Sequence, residues 1–150
     1  KQAISWTKSD VTDFATSLVA TGGTNSEYAM KWGYEQITSS TEINAHFSTN
    51  GSKVPSKFIV FMTDGENSTG SSYWNNYADS QTLYYCTKAK EAGVTIFTVA
   101  FQAPDRGKAL LNSCASGAAF YYTADSADEL KQAFKDIGEE AVKLVTRLTN

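Results

Sequence analysis

The sequence predicts an α/β fold in which helices cover both faces of a parallel sheet. Three short runs rich in apolar, β-branched and aromatic residues have the length and composition of buried strands, namely residues 57–63, 94–101 and 119–123. Stretches with apolar residues at helical spacing separate these runs. Because strands that alternate with helices form parallel sheets, the order of the elements predicts one layered α/β domain.

Composition and charge narrow the class of protein. The chain has 150 residues with 41% hydrophobic content, which suits one folded globular domain. Its formal net charge is −3, and without clustered Lys and Arg nucleic-acid binding is disfavoured. The longest apolar runs fall short of the roughly 20 residues that span a bilayer. We therefore expect no nucleic-acid partner and no membrane segment in this chain.

The first third of the chain predicts a short strand and two helices. Residues 1–7 are predicted to include the tail of an edge strand. Ser9 is predicted to cap a first helix, whose apolar positions are Val11, Phe14, Ala15 and Leu18. The glycine pair Gly22-Gly23 ends this helix. Asn25 or Ser26 then caps a second helix.

The segments around the second strand predict a loop and two further helices. A polar, aromatic loop is expected to extend from the first core strand to about Asp79. A helix over 80–92 follows, and Gly93 is predicted to end it in a left-handed conformation. After the strand 94–101, a short helix is expected around 108–115.

The last helix has the most regular pattern in the chain. Ser126 and Glu129 have the spacing of a capping box, which predicts a helix over 126–148. Its apolar positions form one continuous stripe: Leu130, Ala133, Phe134, Ile137, Ala141, Leu144, Val145 and Leu148.

Two loops offer oxygen groups that a metal ion could bind. Asp64 directly follows the strand 57–63, and open α/β sheets bind ligands at the carboxyl ends of their strands. Thr24 lies in the glycine-containing loop TGGTN. Hydroxyl, carboxylate and water oxygens are the ligands that Mg²⁺ prefers. Each residue taken alone fits an ordinary loop or turn equally well.

Taken together and in order, these segments resemble the von Willebrand factor type A (vWA) domain, a Rossmann-like fold. The resemblance covers nearly the whole chain and rests on GGTN before a helix, the strand ending TDGE, VTIFTVAF, FYYT and the amphipathic last helix. Within that superfamily the chain is most similar to the vWA region of TadG-type proteins of the bacterial tight-adherence pilus system. The segments ATGGTNSEYAMKWGYEQI, FIVFMTDGEN and YYTADSADELKQAFKDIGEE carry this narrower resemblance, together with the placement of Cys86 and Cys114.

The resemblance implies part of a metal-ion-dependent adhesion site. In vWA domains this site combines a DxSxS motif after the first strand, a Thr from a second loop and an Asp from a third. Thr24 and Asp64 match the second and third parts, and Glu66 lies beside the site without acting as a direct ligand. No DxSxS motif occurs in the 150 residues. We therefore expect that the chain lacks the N-terminal portion of its domain and binds Mg²⁺ or a similar cation weakly or not at all.

The expected missing portion has a consequence for the sheet. In the family, the strand equivalent to 57–63 lies beside the first strand, so its backbone groups would be unpaired without that neighbour. Three outcomes remain open: pairing with a separate segment, edge-to-edge pairing of two copies, or a proteolytic fragment. The chain begins at Lys1 without a methionine, as a processed or excised product would.

The resemblance also bears on the two cysteines. From spacing alone, Cys86 and Cys114 fit either two buried thiols or one disulfide, and they lack the clustered spacing of a zinc site. TadG-type domains lie on the extracytoplasmic side, at the periplasm or cell surface, where disulfides persist. The resemblance therefore implies a Cys86–Cys114 disulfide in a bacterial protein whose parent chain is membrane-anchored.

The function that the resemblance implies is a non-catalytic binding and assembly module. It would act in pilus assembly or adhesion and hold protein partners, such as pilus or envelope components, through the partial metal site. A first alternative is a vWA scaffold that binds partners through surface loops without metal. In that case Tyr73, Trp74 and Tyr77 could form a contact patch, or their rings could simply pack the loop onto the body. A second alternative is a phosphoryl-transfer enzyme that uses Asp64, but no phosphate-binding glycine loop with Lys accompanies it.

Overall fold

Three parallel strands in the order β1-β2-β3 form the sheet in the described part of the chain. The computed structural model describes residues 7–19, 22–39, 41, 45 and 56–147. The strands are β1 Lys57–Thr63, β2 Val94–Phe101 and β3 Tyr121–Ala124. The helices are α1 Lys8–Ser17, α2 Ser26–Ser39, α3 Ser72–Glu91, α4 Asp105–Cys114 and α5 Ala127–Arg147, with a 3₁₀ turn at Ala118–Phe120.

Both strand pairs are parallel, so the carboxyl ends of all three strands lie at one edge of the sheet. Lys57 is opposite Val94 at the start of the first pair, and Thr63 is opposite Ala100 at its end. The second pair begins with Thr98 opposite Tyr121. The loops that follow β1, β2 and β3 therefore emerge on the same side, where ligand sites of open α/β sheets are found.

Helices cover both faces of the sheet, which confirms the predicted fold class. One core joins α2, α3 and α4 to the sheet through Met30, Phe61, Cys86, Ala89, Val94, Ile96, Ala100, Ala103, Leu111 and Cys114. On the opposite face α5 packs onto the sheet through Phe97, Val99, Ala133 and Ile137. Helix α1 contributes no buried residue, although its apolar spacing predicted a packed face.

The first core strand is less buried than its apolar sequence predicted. Strand β1 pairs only with β2 in the described sheet and is therefore an edge strand. Phe61 is buried beneath the helices of the larger core, but Val60 and Met62 on the other face are 44% and 46% exposed. The prediction of a strand buried on both faces is thus wrong, because α5 covers β2 and β3 without covering this part of β1.

Helix α3 is longer than the sequence predicted. The expected loop up to Asp79 is largely helical, since α3 begins at Ser72 rather than at Ser80. The Ser71 hydroxyl accepts a hydrogen bond from the Trp74 N–H, which caps this earlier start. The helix ends at Glu91, and Gly93 follows with a φ of 76°, as its predicted left-handed conformation requires.

The observed boundaries of several other helices and strands differ from the predicted ones by a few residues. Thr7, not Ser9, is the N-cap of α1, and it makes no side-chain capping bond. Helix α4 begins at Asp105, three residues before the predicted start, and the first two residues of the predicted strand 119–123 belong to the 3₁₀ turn. Residues 1–6 of the predicted edge strand and Leu148 of the last helix lie outside the described residues.

The capping box at the start of α5 is present with one variation. The Ser126 hydroxyl accepts a hydrogen bond from the Glu129 N–H at 3.3 Å. The Glu129 carboxylate accepts from the N–H of Asp125, one residue before the usual donor, at 2.8 Å. Both bonds satisfy backbone donors at the helix start, which explains why the helix begins here.

Candidate functional site

Three segments meet at the carboxyl end of β1: the loop that carries Thr24, the turn after Thr63 and the first turn of α4. The Ser68 N–H donates a hydrogen bond of 2.8 Å to the Thr24 carbonyl, which ties the first two segments together. A Cβ added at Gly65 would lie 2.8 Å from the Thr24 hydroxyl oxygen. The absence of a side chain at Gly65 therefore allows the threonine to lie directly against the Asp64-Gly65 turn.

The turn itself presents Asp64 to solvent. The Gly65 N–H donates to the Thr63 hydroxyl at 3.1 Å, which closes the turn immediately after the strand. Asp64 and Glu66 are exposed, and Thr24 is half-buried. No side chain in the described ranges pairs with the Asp64 carboxylate or with the Thr24 hydroxyl. The structure thus brings the two sequence-predicted metal ligands into neighbouring segments with their oxygen atoms uncommitted.

The third segment, the first turn of α4, contacts the Asp64-Gly65 turn at a glycine. A Cβ added at Gly107 in α4 would lie 2.5 Å from the Gly65 carbonyl oxygen, closer than real Cβ contacts occur. Glycine at this position therefore lets α4 pack against the turn that carries Asp64.

Replacing Gly107 by alanine is expected to destabilise the protein by about 1–3 kcal/mol, because the added methyl group must displace the Gly65 backbone. The Gly138→Ala variant is the matched control, since a Cβ at that helical glycine meets no atom within 4 Å. That control is expected to stabilise by about 0.5–1 kcal/mol through helix propensity alone. Urea unfolding of both variants measures the difference, and a stabilised Gly107→Ala variant would contradict the described contact.

A buried polar network behind the turn was not predicted from the sequence. Asn67, which is 1% exposed, accepts hydrogen bonds from the Ser26 N–H at 2.7 Å and from the Ser26 hydroxyl at 2.9 Å. Its amide nitrogen donates to Asp79 at 2.6 Å. Arg106 in turn donates to the other oxygen of Asp79 at 2.9 Å. Through these bonds, α2, α3 and α4 are all held to the turn after β1.

The same network explains how α2 begins next to Thr24. Ser26 is the first residue of α2, so its N–H has no partner within the helix. Asn67 supplies that partner, while Asn25 accepts from the Glu27 N–H at 3.1 Å. The Ser26 hydroxyl also lies 2.8 Å from the Thr82 hydroxyl of α3. The position of the Thr24 loop is therefore fixed by side chains from two other elements.

Cys86 and Cys114 form the predicted disulfide. It joins α3 to α4 with Cα atoms 5.3 Å apart, within the usual bridging range. Both cysteines are fully buried in the larger core. The bond therefore links two of the helices that surround the candidate site.

The predicted aromatic patch lies on a helix instead of a loop. Tyr73, Trp74 and Tyr77 occupy the first two turns of α3, and each ring remains exposed. The rings of Tyr73 and Trp74 meet edge to face at 5.1 Å, and those of Trp74 and Tyr77 do so at 5.9 Å. Their exposure shows that packing the segment onto the body does not bury them.

The donor set at the turn fits one part of a site for a hard cation. Thr24 offers a hydroxyl and Asp64 a carboxylate, which are Mg²⁺ ligands, and the glycine at 65 leaves room beside them. No group of three or more His, Cys, Asp or Glu side chains that could hold a metal occurs in the portion of the chain that the structure describes. Two protein donors therefore require water or further ligands to complete a coordination shell.

Within the described ranges, no helix is both long enough and apolar enough to cross a membrane.

Two solved structures of known proteins are similar to this chain in fold. A pilus adhesin, SpaC from Lactobacillus rhamnosus GG, is similar with a TM-score of 0.66 and 17% sequence identity, over 91% of this chain and 21% of that chain. Proximal thread matrix protein 1 from the mussel byssus is similar with a TM-score of 0.57 and 19% identity, over 89% of this chain and 29% of that chain. At these identities the likeness shows the fold, and this chain spans under a third of either protein. No curated protein sequence matches.

The family assignment rests on a sequence match over most of the chain. The model of the von Willebrand factor type A domain matches residues 2–136, which include the three strands of the described sheet and the loops that carry Thr24 and Asp64. The chain therefore belongs to the von Willebrand factor type A domain family.

Proposed function

We propose that this chain is a non-catalytic binding module in which Thr24 and Asp64 hold a divalent cation that engages an acidic group of a protein partner. The observation that carries the proposal is the placement of the Thr24 hydroxyl and the exposed Asp64 carboxylate on adjoining segments at the carboxyl end of β1, with no side-chain partner for either in the described ranges. Two glycines, Gly65 and Gly107, allow this close approach.

The cation would supply positive charge that attracts a carboxylate of the partner. Asp64 would provide the charged ligand, and Thr24 would provide a neutral one. Asn67 would act as a positioning residue, since it holds both the Thr24 loop and the turn through Ser26. Glu66 would contribute negative charge nearby without binding the ion.

The remaining ligands are proposed to come from a preceding strand that pairs with the open edge of β1. The exposed Val60 and Met62 support this, because an added strand and its helix would cover them. Without those ligands the cation keeps most of its water molecules, so this chain alone should bind it weakly.

The narrower biological role is proposed from the TadG-type resemblance. The protein would act in pilus assembly or adhesion at the extracytoplasmic side of a bacterial cell, with a membrane-anchored parent chain. Its buried disulfide supports an oxidising compartment, and its likeness in fold to a pilus adhesin is consistent with this setting.

Calorimetric titration with Mg²⁺ tests the proposed site. We expect weak binding, with a dissociation constant in the millimolar range. Asp64→Ala should abolish the heat of binding, whereas Glu66→Ala, which removes a neighbouring carboxylate, should retain it. Binding at micromolar concentrations would contradict a partial site, and equal loss in both variants would contradict the assignment of Asp64 as the ligand.

A metal-independent scaffold is the second candidate function. The exposed rings of Tyr73, Trp74 and Tyr77 favour it, since aromatic side chains are enriched at binding hot spots. A phosphoryl-transfer role for Asp64 has less support, because no side chain in the described ranges pairs with its carboxylate as an acid–base partner would.

A further inference from the structure

A cavity of about 340 Å³ lies between the start of α2 and the first turns of α3. Its walls include polar and aromatic side chains: Asn25, Glu27, Tyr28, Thr69, Trp74 and Tyr77. Since Asn25 directly follows Thr24, the cavity borders the loop that carries the proposed metal ligand. Its lining residues are nevertheless other than the proposed metal ligands Thr24 and Asp64.

Aromatic rings form one side of this cavity. Trp74 is 54% exposed although it contacts Tyr73 on one side and Tyr77 on the other. Both contacts are edge to face, which is a favoured arrangement for aromatic pairs. The rings therefore support one another while a large part of the indole stays accessible to a ligand.

Glu27 also lines this cavity. Glu27 makes no ion pair and accepts no side-chain hydrogen bond in the described ranges. Lys31, one turn along α2, lies 4.0 Å from Glu35, and Arg106 pairs with Asp79 at 2.8 Å. Among the residues that the structure describes, no Lys or Arg lines the cavity.

We propose that this cavity binds a lysine or arginine side chain of a protein partner. A cation over the face of Trp or Tyr is attracted by the ring quadrupole, and a carboxylate that lines the same cavity adds direct charge attraction. The same kind of contact already occurs on α3, where the Lys88 ammonium lies 5.9 Å from the centre of the Tyr84 ring. The unpaired carboxylate favours a cation over a neutral sugar, which would also stack on the rings.

This inference deepens the proposed binding function and rests on its claim of a protein partner, but it does not require the metal. A partner would present an acidic group to Thr24 and Asp64 and a basic side chain to the adjacent cavity. The negative charge of Glu27 and the exposed Glu66 make this end of the sheet suited to a cation even in the absence of a bound metal.

The test is an NMR titration of the ¹⁵N-labelled chain in buffer with a metal chelator. The probes are the peptides acetyl-Gly-Lys-Gly-amide and acetyl-Gly-Arg-Gly-amide, with the Nε-acetylated lysine peptide and maltose as uncharged comparisons. We expect saturable shifts at Glu27, Tyr28 and the Trp74 indole. Acetylation of the lysine should weaken binding at least about fivefold, since it removes the cation.

Substitutions test whether the lysine peptide binds in the cavity. Glu27→Gln and Trp74→Leu should each weaken binding of the lysine peptide by about fivefold. Matched controls are Glu139→Gln, which removes an exposed charge from α5, and Tyr84→Ala, which removes an exposed ring further along α3. Both controls should bind as the parent chain does.

Three results would overturn the proposal. The first is equal binding of the acetylated and free lysine peptides, and the second is full binding by Glu27→Gln. The third is saturable binding of maltose at the Trp74 indole without binding of either cationic peptide, which would assign the cavity to carbohydrate. Because metal is excluded from the titration, none of these results depends on whether Asp64 binds a cation.

Discussion

Replacing Cys86 and Cys114 together by alanine is expected to lower the free energy of unfolding by about 3–4 kcal/mol. The disulfide closes a loop with a sequence separation of 28, and loop-closure entropy gives this magnitude for a loop of about that length. Since small domains are stable by only about 5–15 kcal/mol, the loss would remove a large fraction of the total.

The bond also has a role in the site. It fixes α3, which carries Asp79 and the aromatic patch, to α4, which carries Arg106 and Gly107. Reduction should therefore loosen the contacts around the Asp64 turn in addition to lowering global stability.

Urea unfolding with and without reductant measures the effect. The parent chain should lose stability when reductant is present, whereas the double alanine variant should be insensitive to it. Equal stability of the oxidised and reduced parent chain would contradict a structural role for the bond. Alkylation under denaturing, non-reducing conditions gives an independent check, because no free thiol should be found.

Replacing Asn67 by alanine is expected to destabilise the protein by about 2–4 kcal/mol, because its buried partner Ser26 would lose its hydrogen bonds away from water and Asp79 would lose one of its two side-chain partners. The lost bonds are the two from Ser26 and the one to Asp79. Ser26 is itself buried, so its N–H would remain without a partner at the start of α2.

Asn76→Ala is the matched control for this change. Asn76 is exposed and accepts one hydrogen bond from Arg106 at 2.8 Å, so its removal should cost less than about 1 kcal/mol. Urea unfolding ranks the two variants, and amide chemical shifts at Thr24 and Gly65 report the loop position. An Asn67→Ala variant as stable as Asn76→Ala would show that the network does not hold the site together.

The sheet could be predicted from sequence because its signal is local. Strand β2 is a run of apolar and β-branched residues, and a helix precedes and follows it. Burial of β1 could not be predicted, since the run specifies a strand but not which neighbours cover it. Val60 and Met62 are as apolar as their buried counterparts in β2, yet they lie at an uncovered edge.

The early start of α3 was missed for a similar reason. Ser, Asn, Gly and Tyr around Ser71 have the composition of a loop. The helix forms there because the Ser71 hydroxyl caps it and because Asn75 accepts hydrogen bonds from Thr69, at 2.7 Å from its N–H and 2.9 Å from its hydroxyl. Such side-chain bonds at a helix start have only a weak signature in a single sequence.

The candidate site was predicted in part. Thr24 and Asp64 were identified by residue type and by their order in the chain, and the structure places them in adjoining segments. Asn67, Asp79 and Arg106 were missed because their partners are 12 to 41 residues away. A polar residue directly after a strand-end turn, as Asn67 is, was the one available signal.

Relaxation of backbone amides by Mn²⁺ tests the central claim most directly, because it detects weak sites and locates them. The chain is titrated with Mn²⁺, and the loss of each amide signal is recorded for the parent chain and for Asp64→Ala. We expect the signals of residues 23–25 and 64–66 to broaden first, and this selectivity to vanish in the variant. Broadening that begins elsewhere, or that is unchanged by Asp64→Ala, would contradict a cation site formed by Thr24 and Asp64.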